Sequence, residues 1–220
     1  MAEIRELAQK SAQNQVPLWE DNHYYADAEK YMESQWEKYI WPRIKDCNFN
    51  HVLDLACGRG RNSEKLLNFV DKRLTLVDLA KNNIVACQDR FNGKPGSDKI
   101  RYVIGDGVSI PTFDNAVSLI YCWDAMVHFP PEVVYQYLQE TYRALQIGGI
   151  AFFHHSNFSG NDNIHFGYNP HARNYMTKNL FCYWAKVAGL SVVTSDIIDW
   201  GNPPHTVTDL DCISVLKKEK

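Results

Sequence analysis

Two glycines, at 58 and 60, sit in the run Asp54-Leu-Ala-Cys-Gly58-Arg-Gly60-Arg-Asn62. Without a Cβ, glycine lets the chain turn tightly and lets a ligand come close to the main chain. A helix starting behind such a turn offers free amides to a negative group such as a carboxylate. Asp78 follows 18 residues past Gly60, where an acidic side chain can accept both hydroxyls of a ribose. Gly105-Asp106-Gly107 adds a carboxylate able to accept from an exocyclic amine. Trp123-Asp124 with His128 is a fourth polar group, and His154-His155-Ser156-Asn157 a fifth. Each is weak alone: a Gly-x-Gly pair is common by chance, and Asp78 could merely cap a helix.

Their placement gives them weight. Residues 51–56, 74–78, 100–104, 116–122 and 150–153 read as short buried strands. Helices are expected over 63–69, capped by Asn62 or Ser63, over 82–91, and from Pro130-Pro131 to Leu145. Val134, Leu138, Thr141 and Leu145 form the apolar stripe of the last of these, and Gly148-Gly149 is expected to stop it. Alternating strands and helices mean parallel strands joined by crossovers, an open doubly wound α/β sheet covered on both faces. Such sheets bind ligands beyond the carboxyl ends of their strands, where all five polar groups fall. The tail differs: a helix over 177–188, then strands over 190–198 and 212–216 with no room for a crossover. These last strands should be antiparallel, at the sheet edge.

Ahead of the sheet, residues 1–15 can form a helix with Ile4, Leu7 and Ala8 on one face. A second is expected from about Tyr25 to Ile40, ending before Trp41-Pro42, because proline disfavours helix in its predecessor. The reading is therefore an N-terminal helical cap over 1–45 and one catalytic domain over 46–220. Tyr24, Tyr25, Tyr31, Trp36 and Tyr39 either pack the cap onto that domain or form a lid over a ligand.

Composition sets limits. A chain of 220 residues with 45% hydrophobic and 22% charged residues can bury a full core. Its formal charge of -3 and lack of a basic run argue against nucleic acid as partner. No apolar stretch approaches the roughly 18 residues a membrane span needs. The charged start, MAEIRELAQK, lacks the apolar core of a signal peptide. The six cysteines never form CxxC, so reduced thiols and a cytoplasmic location are expected.

Val52-Leu-Asp-Leu-Ala-Cys-Gly-Arg-Gly60 resembles the first motif of class I S-adenosylmethionine-dependent methyltransferases, with Ala56 where that family usually has its first glycine. Leu76-Val-Asp78 resembles its acidic second motif, Gly105-Asp106-Gly107 its third, and Phe113 through His128 its fourth-strand motif. The Gly148-Gly149 turn and a reversed last strand also fit. The resemblance covers roughly residues 50–155 and implies S-adenosylmethionine as cofactor. It implies cofactor contacts from Asp54, Ala56, Cys57, Gly58, Gly60 and Asn62 at the first turn. Asp78 and Leu79 would serve the ribose side, Asp106 and Gly107 the adenine, and Trp123 the rim of the fourth strand. A nicotinamide dehydrogenase is the rival, but its fingerprint wants a third glycine where this chain has Ser63. A fold of this family that binds a nucleoside without catalysis is the second rival.

Methyl transfer from a sulfonium is an in-line displacement in which positioning supplies much of the rate. An alcohol acceptor must lose a proton, so a nearby base helps. Six of the eight histidines lie after residue 120, the half that builds the acceptor side. Two candidates follow: His128 oriented by Asp124, or one of His154 and His155, whose side chains should point oppositely, with His154 favoured for the cleft. Each of these histidines also has a purely structural reading. The long polar segment 156–176 is expected to be an ordered acceptor-side loop, with Asn157, His171 and Arg173 as acceptor contacts alongside Tyr24 and Tyr25. Arg173 has an equal alternative, a salt bridge that anchors the loop. Asp124, His128, His154, His155 and Asn157 include metal-ligand types but lack HxxxH or DxD spacing among themselves, so no metal is expected. The combined expectation is methyl transfer to an oxygen of a small polar metabolite such as a sugar or nucleotide-linked precursor, with a small amine as the alternative acceptor.

Overall fold

The computed structural model describes residues 2–14, 17, 22–160 and 168–220. Seven strands run β1 (His51–Leu55), β2 (Arg73–Asp78), β3 (Ile100–Ile104), β4 (Val117–Cys122), β5 (Leu145–Ser156), β6 (Ser191–Trp200) and β7 (Val207–Lys217). They form one sheet in the order β3-β2-β1-β4-β5-β7-β6. β1 through β5 pair in parallel, and β7 is antiparallel to both β5 and β6. The order reverses between β1 and β4, which places a crevice at their carboxyl ends.

β4 shows why the sheet needs helices on both faces. Leu119 and Tyr121 point to one face, Val117, Ile120 and Cys122 to the other, and all are fully buried. One face is covered by α1 (Ala2–Gln13), α7 (Pro131–Ala144) and α8 (Lys178–Val187). The other is covered by α5 (Arg61–Leu67), α6 (Lys81–Phe91) and a helical stretch from Met32 to Ile44. A separate helix, α2 (Asn22–Glu29), precedes that stretch and lies over the crevice. The edge strand β6 leaves much of its length exposed, including Val193 and Ile197.

Several boundaries differ from the sequence expectation, each for a local reason. The helix around Pro42 does not end before Trp41; it continues to Ile44 as α4 (Trp41–Ile44) behind α3 (Met32–Gln35) and a π turn over Trp36–Ile40. The wider turn lets the Trp41 amide donate to Trp36 O, which accommodates a proline that has no N–H of its own. Helix α5 starts at Arg61 behind Gly60 in the left-handed region, so neither Asn62 nor Ser63 caps it. Ser63 instead donates to Asp54 Oδ2 at 2.6 Å. Helix α7 already ends at Ala144, and Gly148-Gly149 lie inside β5 rather than stopping the helix. In α1, Ala8 and Ala12 are buried and Leu7 is exposed, while the Ile4 side chain lies outside what is described.

Gly60 tests this local architecture. Its φ is +80°, and a Cβ there would lie 2.9 Å from the Phe91 ring and 3.2 Å from Cys87 Sγ. Gly60→Ala should cost about 1–2 kcal/mol from the left-handed backbone alone, plus the clash, as read by urea denaturation. An unchanged midpoint would show that the turn is not held in this conformation.

Candidate active site

The glycine turn and Asp78 form one unit. Ala56, Gly58 and Gly60 all have positive φ, at 56°, 54° and 80°. The Cys57 amide donates to Val77 O at 3.0 Å, fixing the turn to β2. The Gly58 amide donates to Asp78 Oδ2 at 2.9 Å, and Asp78 Oδ1 accepts from the Ala80 amide at 2.9 Å and Asn83 Nδ2 at 3.0 Å. Burial raises the Asp78 pKa, and these hydrogen bonds offset part of the rise. Asp54 lies beneath the turn, and burial pushes its carboxyl up to about 7 despite the Ser63 hydrogen bond. Asn62 is buried beside it, with Oδ1 lacking a partner among the described residues.

A second unit sits at the end of β4. Asp124 Oδ2 accepts from Arg61 Nη2 at 2.8 Å and from the Tyr24 hydroxyl at 2.7 Å. Burial would raise this carboxyl, but Arg61 and the more distant Arg173 hold it below its ordinary range. The Asp124 amide donates to His154 Nδ1 at 3.2 Å, and His154 Nε2 meets Asp211 Oδ2 at 3.0 Å. Arg173 closes the chain, with Nε donating to Asp211 Oδ1 at 2.8 Å and Nη2 to Oδ2.

Helix α2 roofs both units. The Tyr25 ring lies over Gly58, its hydroxyl accepts from Asn83 at 2.8 Å, and the Arg59 guanidinium stacks 4.6 Å from its centroid. Arg61 Nη1 donates to Ala28 O at 2.6 Å, and Arg90 holds Glu29 through both guanidinium nitrogens. Under this roof lie two adjoining cavities that share Tyr24, Tyr25, Ala56, Gly58 and Asp124. The larger encloses about 820 Å³, counting its open mouth, and is walled by Leu55, Val77, Leu79, Phe129, Val133 and Tyr137 with Asp78 at one side. The smaller, about 440 Å³, is lined by Asp54, Arg59, Arg61 and Asn62, with Cys57 and Trp123.

The expected site residues therefore divide. Asp54, Ala56, Cys57, Gly58, Gly60, Asn62, Asp78, Leu79, Trp123 and Asp124 gather at these cavities or in the turn that shapes them, with Tyr24 and Tyr25 above. Gly107 lines the larger cavity, but Asp106 does not: its carboxylate is turned back onto the Val108 and Ser109 amides at 3.0 and 2.7 Å. His154 is correctly opposed to His155, yet it does not reach the cleft. It is fully buried between Trp123 and Trp200. His155 stacks on Phe181 and bonds Ser214 Oγ, and burial drops its pKa to about 3. Asn157 braces the chain between Asp209 O and the Lys178 amide. His171 is exposed and meets His205 O, and Arg173 is the buried loop anchor. Residues 161–167 of the expected acceptor-side loop, with His165 among them, lie outside the described residues.

His128 is the histidine that lines the larger cavity. It sits on a tight turn, Met126–His128, and its orienting partner is not Asp124 but the Ala172 carbonyl, which accepts from Nδ1 at 2.8 Å. Burial, reinforced by Arg173, lowers its pKa to about 4, so the ring is neutral at pH 7. Sequence reasoning missed Arg61, Asn83 and Asp211. Arg61 was visible inside the glycine motif, and Asp211 as a charge within the apolar run 210–216.

With this geometry in view, the fold is that of class I methyltransferases. Residues 52–149 match the family model described as a methyltransferase domain. That stretch is similar to methyltransferase domains, and the sheet around it has the class I methyltransferase fold. An O-methyltransferase of Penicillium expansum is 21% identical over 113 residues, 51% of this chain and 41% of its own length. A sterol 24-C-methyltransferase of Gibberella zeae is 31% identical over 100 residues, 45% of this chain and 26% of its own length. The chain thus spans less than half the length of these curated relatives. Geranyl diphosphate C-methyltransferase from Streptomyces coelicolor, solved with S-adenosyl-L-homocysteine, aligns over 90% of this chain and 84% of that one, with TM-score 0.69 and 12% identity.

The residues present fit S-adenosylmethionine. The large cavity offers apolar walls and one carboxylate for a nucleoside. The small one offers cations, carboxylates and the unsatisfied Asn62 oxygen for a zwitterionic amino-acid end. Asp54 provides a stability test without ligand. Its folded pKa, about 7, lies above the unfolded value of about 4, so the folded state keeps a proton that the unfolded state releases. That stabilisation is complete below about pH 4 and is lost as pH rises through about 7. Thermal melts should therefore show Asp54→Asn gaining on the wild type between about pH 5 and 7.5. A constant gap would place the carboxyl at its ordinary pKa.

Proposed function

We propose that this domain transfers the methyl group of S-adenosylmethionine to a hydroxyl oxygen of a small molecule, with His128 as the proton acceptor. Support for the oxygen comes from one observation: a neutral imidazole, its Nδ1–H committed to a carbonyl, lines the same cavity as Asp78 and the glycine turn. When bound, the cofactor supplies an electrophilic methyl on a cationic sulfur. Asp78 would hold the ribose hydroxyls, and Leu79, Gly105 and Gly107 the adenine. Arg61 would hold the carboxylate, and Asp54, Asp124 and Asn62 the ammonium. The roof residues Tyr24 and Tyr25 would exclude water and confine the acceptor. Asn157, His171 and Arg173, which suggested a strongly polar acceptor, do not face the cavity, whereas Phe129, Pro130 and Val133 do. The acceptor we propose thus carries a hydroxyl on a partly apolar body.

Calorimetric titration with S-adenosylmethionine and with NAD separates this reading from a dehydrogenase. S-adenosylmethionine should bind and NAD should not, and Asp78→Ala should weaken that binding by at least about tenfold by removing both carboxylate oxygens. Retained affinity would remove Asp78 from the cofactor site.

The second measurement is product formation across a panel of small hydroxyl compounds, followed by mass spectrometry. His128→Ala should lower turnover by about 10²–10⁴-fold while leaving cofactor affinity unchanged. A base with pKa about 4 stays deprotonated above about pH 5, so the rate should be flat on its account from there upward. Equal loss of cofactor binding and turnover, or an inflection near pH 6.5, would overturn the role.

A further inference from the structure

The tight turn from Pro170 to Ala172 has an unusual backbone. His171 and Ala172 stand next to each other with φ of +50° and +53°, and neither is glycine. L-residues rarely hold this conformation, and two in succession persist only where surrounding contacts over-determine them. Those contacts are present. Arg173 is 2% exposed, and its guanidinium takes both Asp211 oxygens in a forked pair while Nη1 donates to His171 O at 2.8 Å. Its ring-face partner is Trp200, 5.4 Å from the guanidinium carbon. Asn169 Nδ2 donates to Arg173 O. On the other side, the Asn174 amide donates to Val127 O at 3.1 Å and its side chain to His128 O.

The product of all this bracing is one carbonyl. Ala172 O accepts from His128 Nδ1 at 2.8 Å, which fixes the proton on Nδ1 and leaves the basic lone pair on Nε2. The same Asp211 that holds Arg173 also meets His154, whose Nδ1 accepts from the Asp124 amide. One buried carboxylate thus ties the strained turn to the rim of β4.

We infer that Arg173, gripped by Asp211, is a positioning residue that holds the strained His171-Ala172 turn so that the Ala172 carbonyl selects the Nδ1–H tautomer of His128. The inference rests on the proposed role of His128 for its catalytic meaning, but the tautomer itself is measurable without any acceptor. An arginine is required because only its planar fork meets both carboxylate oxygens while reaching back to its own turn.

The test is nitrogen-detected NMR of protein labelled with ¹⁵N-histidine, with His128 assigned from its absence in His128→Gln. The wild type should show protonated Nδ1 and bare Nε2 at neutral pH. In Arg173→Met the His128 signals should move to a mixture of tautomers, with S-adenosylmethionine affinity unchanged. Arg173→Lys should fall between the two. If the methionine variant does not fold, Arg173→Lys and Asp211→Asn give the same reading, since each breaks the forked pair. Wild-type His128 protonated on Nε2, or an unchanged Nδ1–H tautomer in any folded variant, overturns the inference. For an acceptor found in the hydroxyl panel, turnover of the folded variants should drop about 10–100-fold at constant cofactor affinity. If His128→Ala proves fully active while the tautomer still shifts in Arg173→Met, the base assignment fails and the positioning stands.

Discussion

A carboxylate with only 7% of its side chain exposed is costly unless its charge is met, and Asp124 is such a carboxylate. Its solution brings together parts of the chain that are far apart in sequence. Arg61 supplies the cation from the helix behind the glycine turn, and Tyr24 adds a hydroxyl from α2. The Asp124 backbone, itself at φ +55°, is held through its amide by His154. Behind His154 stand Asp211 and Arg173. Removing one member of such a buried set leaves an uncompensated charge, which typically costs about 3–5 kcal/mol. The glycine turn, the roof, the end of β4 and the segment after β5 are therefore tied together through one charge.

The parallel sheet is what makes that arrangement possible. Its central strands bury both faces, so their carboxyl ends are fixed by packing and only the loops beyond them are free to diversify. Five strand ends deliver polar residues, yet they do not all deliver them to the cavity. Asp106 satisfies its own turn, and His155 faces α8, because at those ends a local partner lies nearer than the ligand space.

The architecture was legible because it rests on periodicity: β1, β3 and the reversed β6–β7 pair follow from apolar runs and the lengths between them. The donor side was legible for a similar reason, since Gly58, Gly60 and Asp78 act through backbone geometry over a short span of chain. The acceptor side was not. Whether Arg173 meets a ligand or Asp211 depends on a contact 38 residues away, and local pattern carries no signal for that. The π turn at Trp36–Ile40 was hidden likewise: proline marks a broken hydrogen bond, but not whether the helix stops or widens to absorb it.

The roof over the crevice is fastened by groups that also line it. Arg61 holds Ala28 O, Asp124 holds Tyr24, and Asn83 bridges Tyr25 to Asp78. Anything that draws on these side chains must do so in competition with α2, and by thermodynamic reciprocity whatever clamps α2 alters the affinity of the occupant by the same factor. Occupancy and the posture of this short helix thus form a single linked equilibrium, and a substitution on the outer face of α2, remote from any bound molecule, can tune how tightly that molecule is kept.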